Sequence, residues 1–158
     1  MDAEHLSRSI AATLAQHFAS YAAQARTLTA DLSEDEFWTR PYPYGNSVGH
    51  LLLHVTGNLS YYIGTEIAGT GYVRDRPLEF SDSSRRPRED VVSALEDAVA
   101  MVVRTVEDQT PDDWARAYQA HGADDPTRLS IVLRCLAQYF HHLGQIIYLV
   151  KEHTRRRG

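Results

Sequence analysis

The sequence predicts an all-α fold, a four-helix up-down bundle with a long crossover between the second and third helices and short helical turns in the loops. Three observations predict it. Apolar residues recur at the helical period in four separate segments. Capping residues, Gly or Pro stand at most of their ends. One connection, residues 70–86, is too long for an idle turn, which sets the crossover between helices two and three. The 158 residues, 43% hydrophobic and 23% charged, suit one domain over 1–158 with its own core.

Residues 4–30 give the first helix, with Ile10, Leu14, Phe18, Tyr21, Ala25 and Leu28 on one stripe and neither Gly nor Pro before Pro41. Ser33 to Glu36 is a capping-box pattern opening a helical turn that ends at Phe37 and Trp38. Pro41 to Gly45 reads as a loop. Asn46 and Ser47 cap the second helix, which carries Val48, Leu51, Leu52, Val55, Leu59 and Ile63 to about Ala68, where Gly69 and Gly71 stop it. The crossover follows as either a solvent loop or a packed loop over a site mouth, since Tyr72, Leu78 and Phe80 favour burial. Pro87, Glu89 and Asp90 start the third helix, with Val91, Leu95, Val99, Val102 and Val106 inward. Thr110 caps a second short turn around Trp114, and a polar stretch over 116–127 leads through Pro126 and Thr127 into the last helix.

That last helix is the most informative. From Leu129 to Val150 only Gly144 interrupts an apolar run with two stripes, Leu133, Leu136, Phe140, Leu143, Ile147 and Val150 on one, Ile131, Cys135, Gln138, His142 and Leu149 on the other. The run reaches membrane-spanning length, but Arg134, Gln138, His141, His142 and Gln145 lie inside it, and a central buried helix explains it better. Buried polar groups need partners, so Gln138 and His142 pose a question.

Eight histidines are candidates to answer it. His5, His121 and His153 read as solvated groups, and His17 as a boundary residue. His50 and His54 are one helical turn apart, and His54 shares its face with Leu51, Asn58 and Tyr61, which points it inward. Adjacent His141 and His142 diverge by ~100°, and His142 takes the Gln138 stripe. By spacing alone, hydrogen-bonded core histidines are the default, because the His50/His54 pair lacks the intervening catalytic Glu of a zinc protease. No Ser-His-Asp order, phosphate-binding Gly loop or carboxylate pair competes, and no Glu or Asp falls on the inward faces of these two helices.

The formal charge of -5 argues against a nucleic-acid surface, and Arg155 to Arg157 read as a solvated tail. One cysteine, Cys135, excludes an internal disulfide and fits a reducing compartment; with no N-terminal signal pattern, the expectation is a cytoplasmic protein without membrane attachment.

The stretch from Asn46 through His54 to Leu59 resembles the second helix of the DinB-like superfamily, damage-inducible metal-binding four-helix bundles. The segment Gln138 to Tyr148, with His142 followed by Leu143-Gly144-Gln145, resembles its fourth-helix signature, and Arg74 to Phe80 resembles the loop of one branch. The likeness covers essentially the whole chain in helix order. It implies a homodimer, a divalent transition metal (zinc or nickel) on three side chains, and, by analogy with some relatives, a thiol-dependent transferase or isomerase using a low-molecular-weight thiol on small electrophilic substrates. Matched by position, the ligands are His54, Gln138 and His142. Gln138 departs from the family's histidine, and a neutral amide oxygen holds such metals more weakly. His50 and Cys135 are the alternative ligands by spacing. Asn58, Tyr61 and Tyr62 either orient a substrate or simply pack. The competing expectation is a dimeric, non-catalytic small-ligand-binding or stress-related bundle with a degraded metal site.

Overall fold

The structure, a computed structural model, describes residues 2–121 and 124–158. Among them all regular structure is helical: α1 (Ala3–Thr29), α2 (Glu34–Trp38), α3 (Val48–Leu59), α4 (Arg76–Ser81), α5 (Arg88–Glu107), α6 (Pro111–Ala115) and α7 (Arg128–Arg157). Four are long, and α1 and α3 each pack against both α5 and α7. Phe18, Leu52, Leu59, Leu95, Ile131, Leu143 and Ile146, all essentially inaccessible, fill the space between them. No helix among the described residues is long and apolar enough to cross a membrane.

The predicted caps form. Ser33 and Glu36 exchange the two bonds of a capping box and Ser47 accepts from the His50 amide; Thr127 and Ser130, not anticipated as a cap, close the start of α7 reciprocally. Contacts at the ends order the elements. Arg26, late in α1, binds Glu89 and Glu96, early in α5. Trp38 donates to the Arg86 carbonyl and its ring meets His50 at 5.3 Å, so α3 and α5 start at the same end. At the other end Trp114 of α6 donates to Ser7 of α1, and Arg128 of α7 reaches Gln109. The connection between α3 and α5 therefore carries the chain back along the molecule, as a crossover must.

Three expectations are corrected. The connection is not a plain loop: it carries α4, on which Glu79 is buried and Phe80 is partly buried against His54, while Leu78 is half-exposed and Tyr72 more than a third exposed. The last helix is not buried all round, for Leu133 and Phe140 of its first apolar stripe are 49% and 62% exposed, and Tyr148 beside that stripe is 74% exposed. The Arg155–Arg157 tail is helical to its end and tied down, Arg156 to the Pro41 carbonyl and Arg157 to Glu36, and His153 beside it is buried rather than solvated.

One departure from regularity lies next to the site. Beyond Leu59 the helix widens into a π-turn, Ser60–Thr65, with Tyr61 and Tyr62 on it. Such turns recur at functional positions because the extra residue rotates the side chains that follow. The Tyr62 carbonyl accepts from Tyr118, whose segment is held by the bridge between Ala117 and Thr127.

Candidate functional site

Three elements meet at His54. The residue sits mid-α3 with its side chain 4% exposed, below the Phe80 ring of α4 at 4.7 Å and edge-on to His142 of α7 at 4.8 Å. Its Nδ1–H donates to Glu79 Oε2 at 2.7 Å. That bond fixes the tautomer and leaves Nε2 with a free lone pair. Gln138 Nε2 faces this lone pair at 3.3 Å, and the Gln138 oxygen accepts from Asn58 at 2.9 Å. His142 donates from Nδ1 to Gln145 Oε1 at 2.7 Å, so its own Nε2 is free as well. The structure thus brings together His54, Gln138 and His142.

Glu79 is the residue that sequence reasoning missed. Its carboxylate is buried between His54 and Arg74, whose Nε and Nη2 lie 2.7 and 2.9 Å from its two oxygens. Burial alone would raise its pKa, but the hydrogen bonds from His54 and Arg74 outweigh that and hold it below the usual carboxylate range. Room for it comes from Gly57: a Cβ there would lie 2.1 Å from Glu79 Oε1. The only hint in the sequence is Gly57 on an apolar helix together with the Arg74 and Glu79 pair in the connection.

The alternative ligands are otherwise engaged. His50 accepts from Ser47 at Nδ1 and donates to the Asp82 carbonyl at Nε2; burial holds its pKa below the ordinary value. Cys135 is buried, and burial, with Asp125 nearby, pushes its thiol up to about 12, which is inert behaviour. Among the described residues no group of three or more His, Cys, Asp or Glu side chains is placed to hold a metal. Two imidazoles and one amide are what this site offers. Burial also lowers the His142 pKa, which keeps the ring neutral and its lone pair available at neutral pH.

The donors fit a divalent ion of borderline softness, with two imidazole nitrogens ready and the Gln138 oxygen available once its amide, and that of Asn58, turn over. As arranged, the Gln138 N–H group instead satisfies His54 itself. Beside these groups a polar cleft of about 260 Å³ opens between α3, α4 and α7, with His121, which was expected to be solvated, in its wall.

Residues 5–156 match a family described as protein of unknown function, DUF1572. The chain belongs to it. No curated protein and no solved structure matches. The DUF1572 match covers all four long helices, both histidines and Gln138.

Proposed function

We propose that this DUF1572 protein is a divalent-metal-binding bundle of the DinB-like superfamily, with His54, His142 and the Gln138 amide oxygen as ligands for a weakly held zinc or nickel ion. The activity that goes with this reading is a thiol-dependent transferase or isomerase reaction on small electrophiles. The observation that carries it is the buried Glu79–His54 pair. A carboxylate that accepts from one ring nitrogen and leaves the other as a lone-pair donor, with a second imidazole 4.8 Å away, is the usual support of a metal-ligating histidine. A divalent ion on three protein ligands supplies a Lewis acid that lowers the pKa of a bound water or thiol. The chain's own part is to orient both imidazoles, to shield one face of the site with Phe80, and to offer Asn58 and Tyr62 as positioning donors. The exposed apolar stripe of α7 supports a homodimer through that face, and the expected setting is the cytoplasm.

A second reading is favoured by one observation, the Gln138 amide donating to His54 Nε2. A site satisfied in that way needs no ion, and the protein is then a non-catalytic small-ligand-binding or stress-related bundle. Elemental analysis of protein purified without a nickel column, followed by zinc and nickel titration, separates the two. The metal reading expects stoichiometric binding that His54→Ala abolishes and Gln138→His tightens by about 10–100-fold or more. Absence of stoichiometric zinc or nickel binding in the parent, even on titration, sinks it.

A further inference from the structure

We infer that the polar cleft beside His54 is a subsite for an anionic group, a carboxylate or a phosphate, on a small ligand with an apolar body. This names a ligand class for the site proposed above and rests on that reading only for what happens to the ligand after it binds. The cleft is lined by Arg74, Arg76, Arg134, His121 and Asn58, with His54 and Gln138 at one side. Its charges do not balance. Glu79 is committed to Arg74 and His54. Buried Asp125 lies within ion-pairing distance of both Arg134, at 3.3 Å, and His121, at 3.0 Å. Arg76 has no carboxylate partner among the described residues and rests over the Phe80 ring at 5.6 Å. Three guanidinium groups therefore meet two carboxylates, and both carboxylates are buried. The space itself is walled largely by N–H donors with one uncompensated positive charge, and guanidinium forks match carboxylate or phosphate oxygens.

The neighbouring space says what the rest of the ligand is. A second cleft of about 540 Å³ shares Tyr62, Arg74 and Arg76 with the first and continues along Tyr61, Tyr72 and Val73. Val73 is 88% exposed and Tyr72 38% exposed, so this aromatic and aliphatic wall is open to a partner. The π-turn presents Tyr61 and Tyr62 side by side on it, rings 5.1 Å apart. An acid spanning both clefts places its charged head beside His54 and its apolar body on the tyrosines.

The test uses EDTA-treated protein, so that anion binding is read without any metal, while the metal titration above judges the other proposal separately. Hydrocinnamate, its neutral amide and inorganic phosphate serve as probes, followed by NMR of backbone amides and arginine Nε–H groups. Expected are saturable hydrocinnamate shifts at Tyr62, Arg74, Arg76 and His121, competed by phosphate, with the neutral amide about tenfold weaker. Arg76→Gln, at an exposed position, lowers hydrocinnamate affinity about tenfold with Tm unchanged, and Arg8→Gln on the exposed side of α1 leaves it alone. If Arg76→Gln perturbs folding, Arg76→Lys, which keeps the charge, must retain more affinity than Arg76→Gln. Equal binding of the acid and its amide, shifts centred on Arg155–Arg157, or indifference to Arg76→Gln overturns the inference.

Discussion

Gly57 and Glu79 decide the site at the scale of single residues. A methyl at residue 57 would collide with the Glu79 carboxylate, which is locked to Arg74 and backed by His54. Gly57→Ala therefore has to displace α4 or break the ion pair; overpacking of this kind costs about 1–3 kcal/mol, read as a lower urea midpoint. The same variant should release His54 Nδ1, which NMR of the imidazole nitrogens detects as a mixed tautomer; an unchanged tautomer would show that Glu79 does not orient the ring. His54, Gln138 and His142 were legible as inward-facing polar groups from helical register, while their reading as one ligand set came from the family resemblance. Glu79 was not, since the connection has no period from which to read an inward direction. Buried histidines also set a pH dependence. Burial lowers the pKa of His50 and of His153 from the ordinary 6.5. Their contribution to stability is complete above that value and is lost as pH falls through the depressed ones. Tm is expected to drop as pH falls below 6.5, ahead of the carboxylate range, and to drop less in His50→Gln. A flat Tm across that interval would contradict it.

Caps and connections do the corresponding work at the scale of elements. Arg88 Nη1 donates to the carbonyls of Thr29, Ala30 and Leu32, so the start of α5 closes the open end of α1. Arg88→Ala leaves these acceptors without a charged donor and is expected to cost about 2 kcal/mol in chemical denaturation; a loss within error would mean water replaces it freely. This long-range cap has no sequence signature, whereas the local ones at Ser33, Ser47 and Thr110 were readable because their partners lie three residues away. The facing of α7 failed for a different reason. Both of its stripes are apolar, and composition cannot tell a stripe that meets the core from one that stays outside. Tyr139 and Ile146 go in while Phe140 and Tyr148 stay out. The π-turn was equally invisible, since nothing in Ser60–Thr65 breaks the apolar period that continues to Ile67.

For the whole molecule, the outward stripe of α7 makes self-association the first property to measure. Leu133, Phe140 and Tyr148 recur at seven- and eight-residue spacing, two turns apart on one face. If a second copy covers them, Phe140→Glu halves the mass seen by sedimentation and leaves helix content unchanged. A parent protein already monomeric at micromolar concentration would remove the dimer from the proposal. The order of four long helical segments was legible from their period; the way Trp38 and Trp114 fasten opposite ends was not, because their partners, the Arg86 carbonyl and Ser7, lie 48 and 107 residues away. That placement has a practical use. The chain holds two tryptophans, each buried and each hydrogen-bonded at a different end of the same core. Single-tryptophan variants, Trp38→Phe and Trp114→Phe, turn the two ends into separate fluorescent gauges. Coincident emission transitions would mean the helices melt together. A gauge at Trp38 that responds first would show that the end carrying His50 opens while the far end still holds.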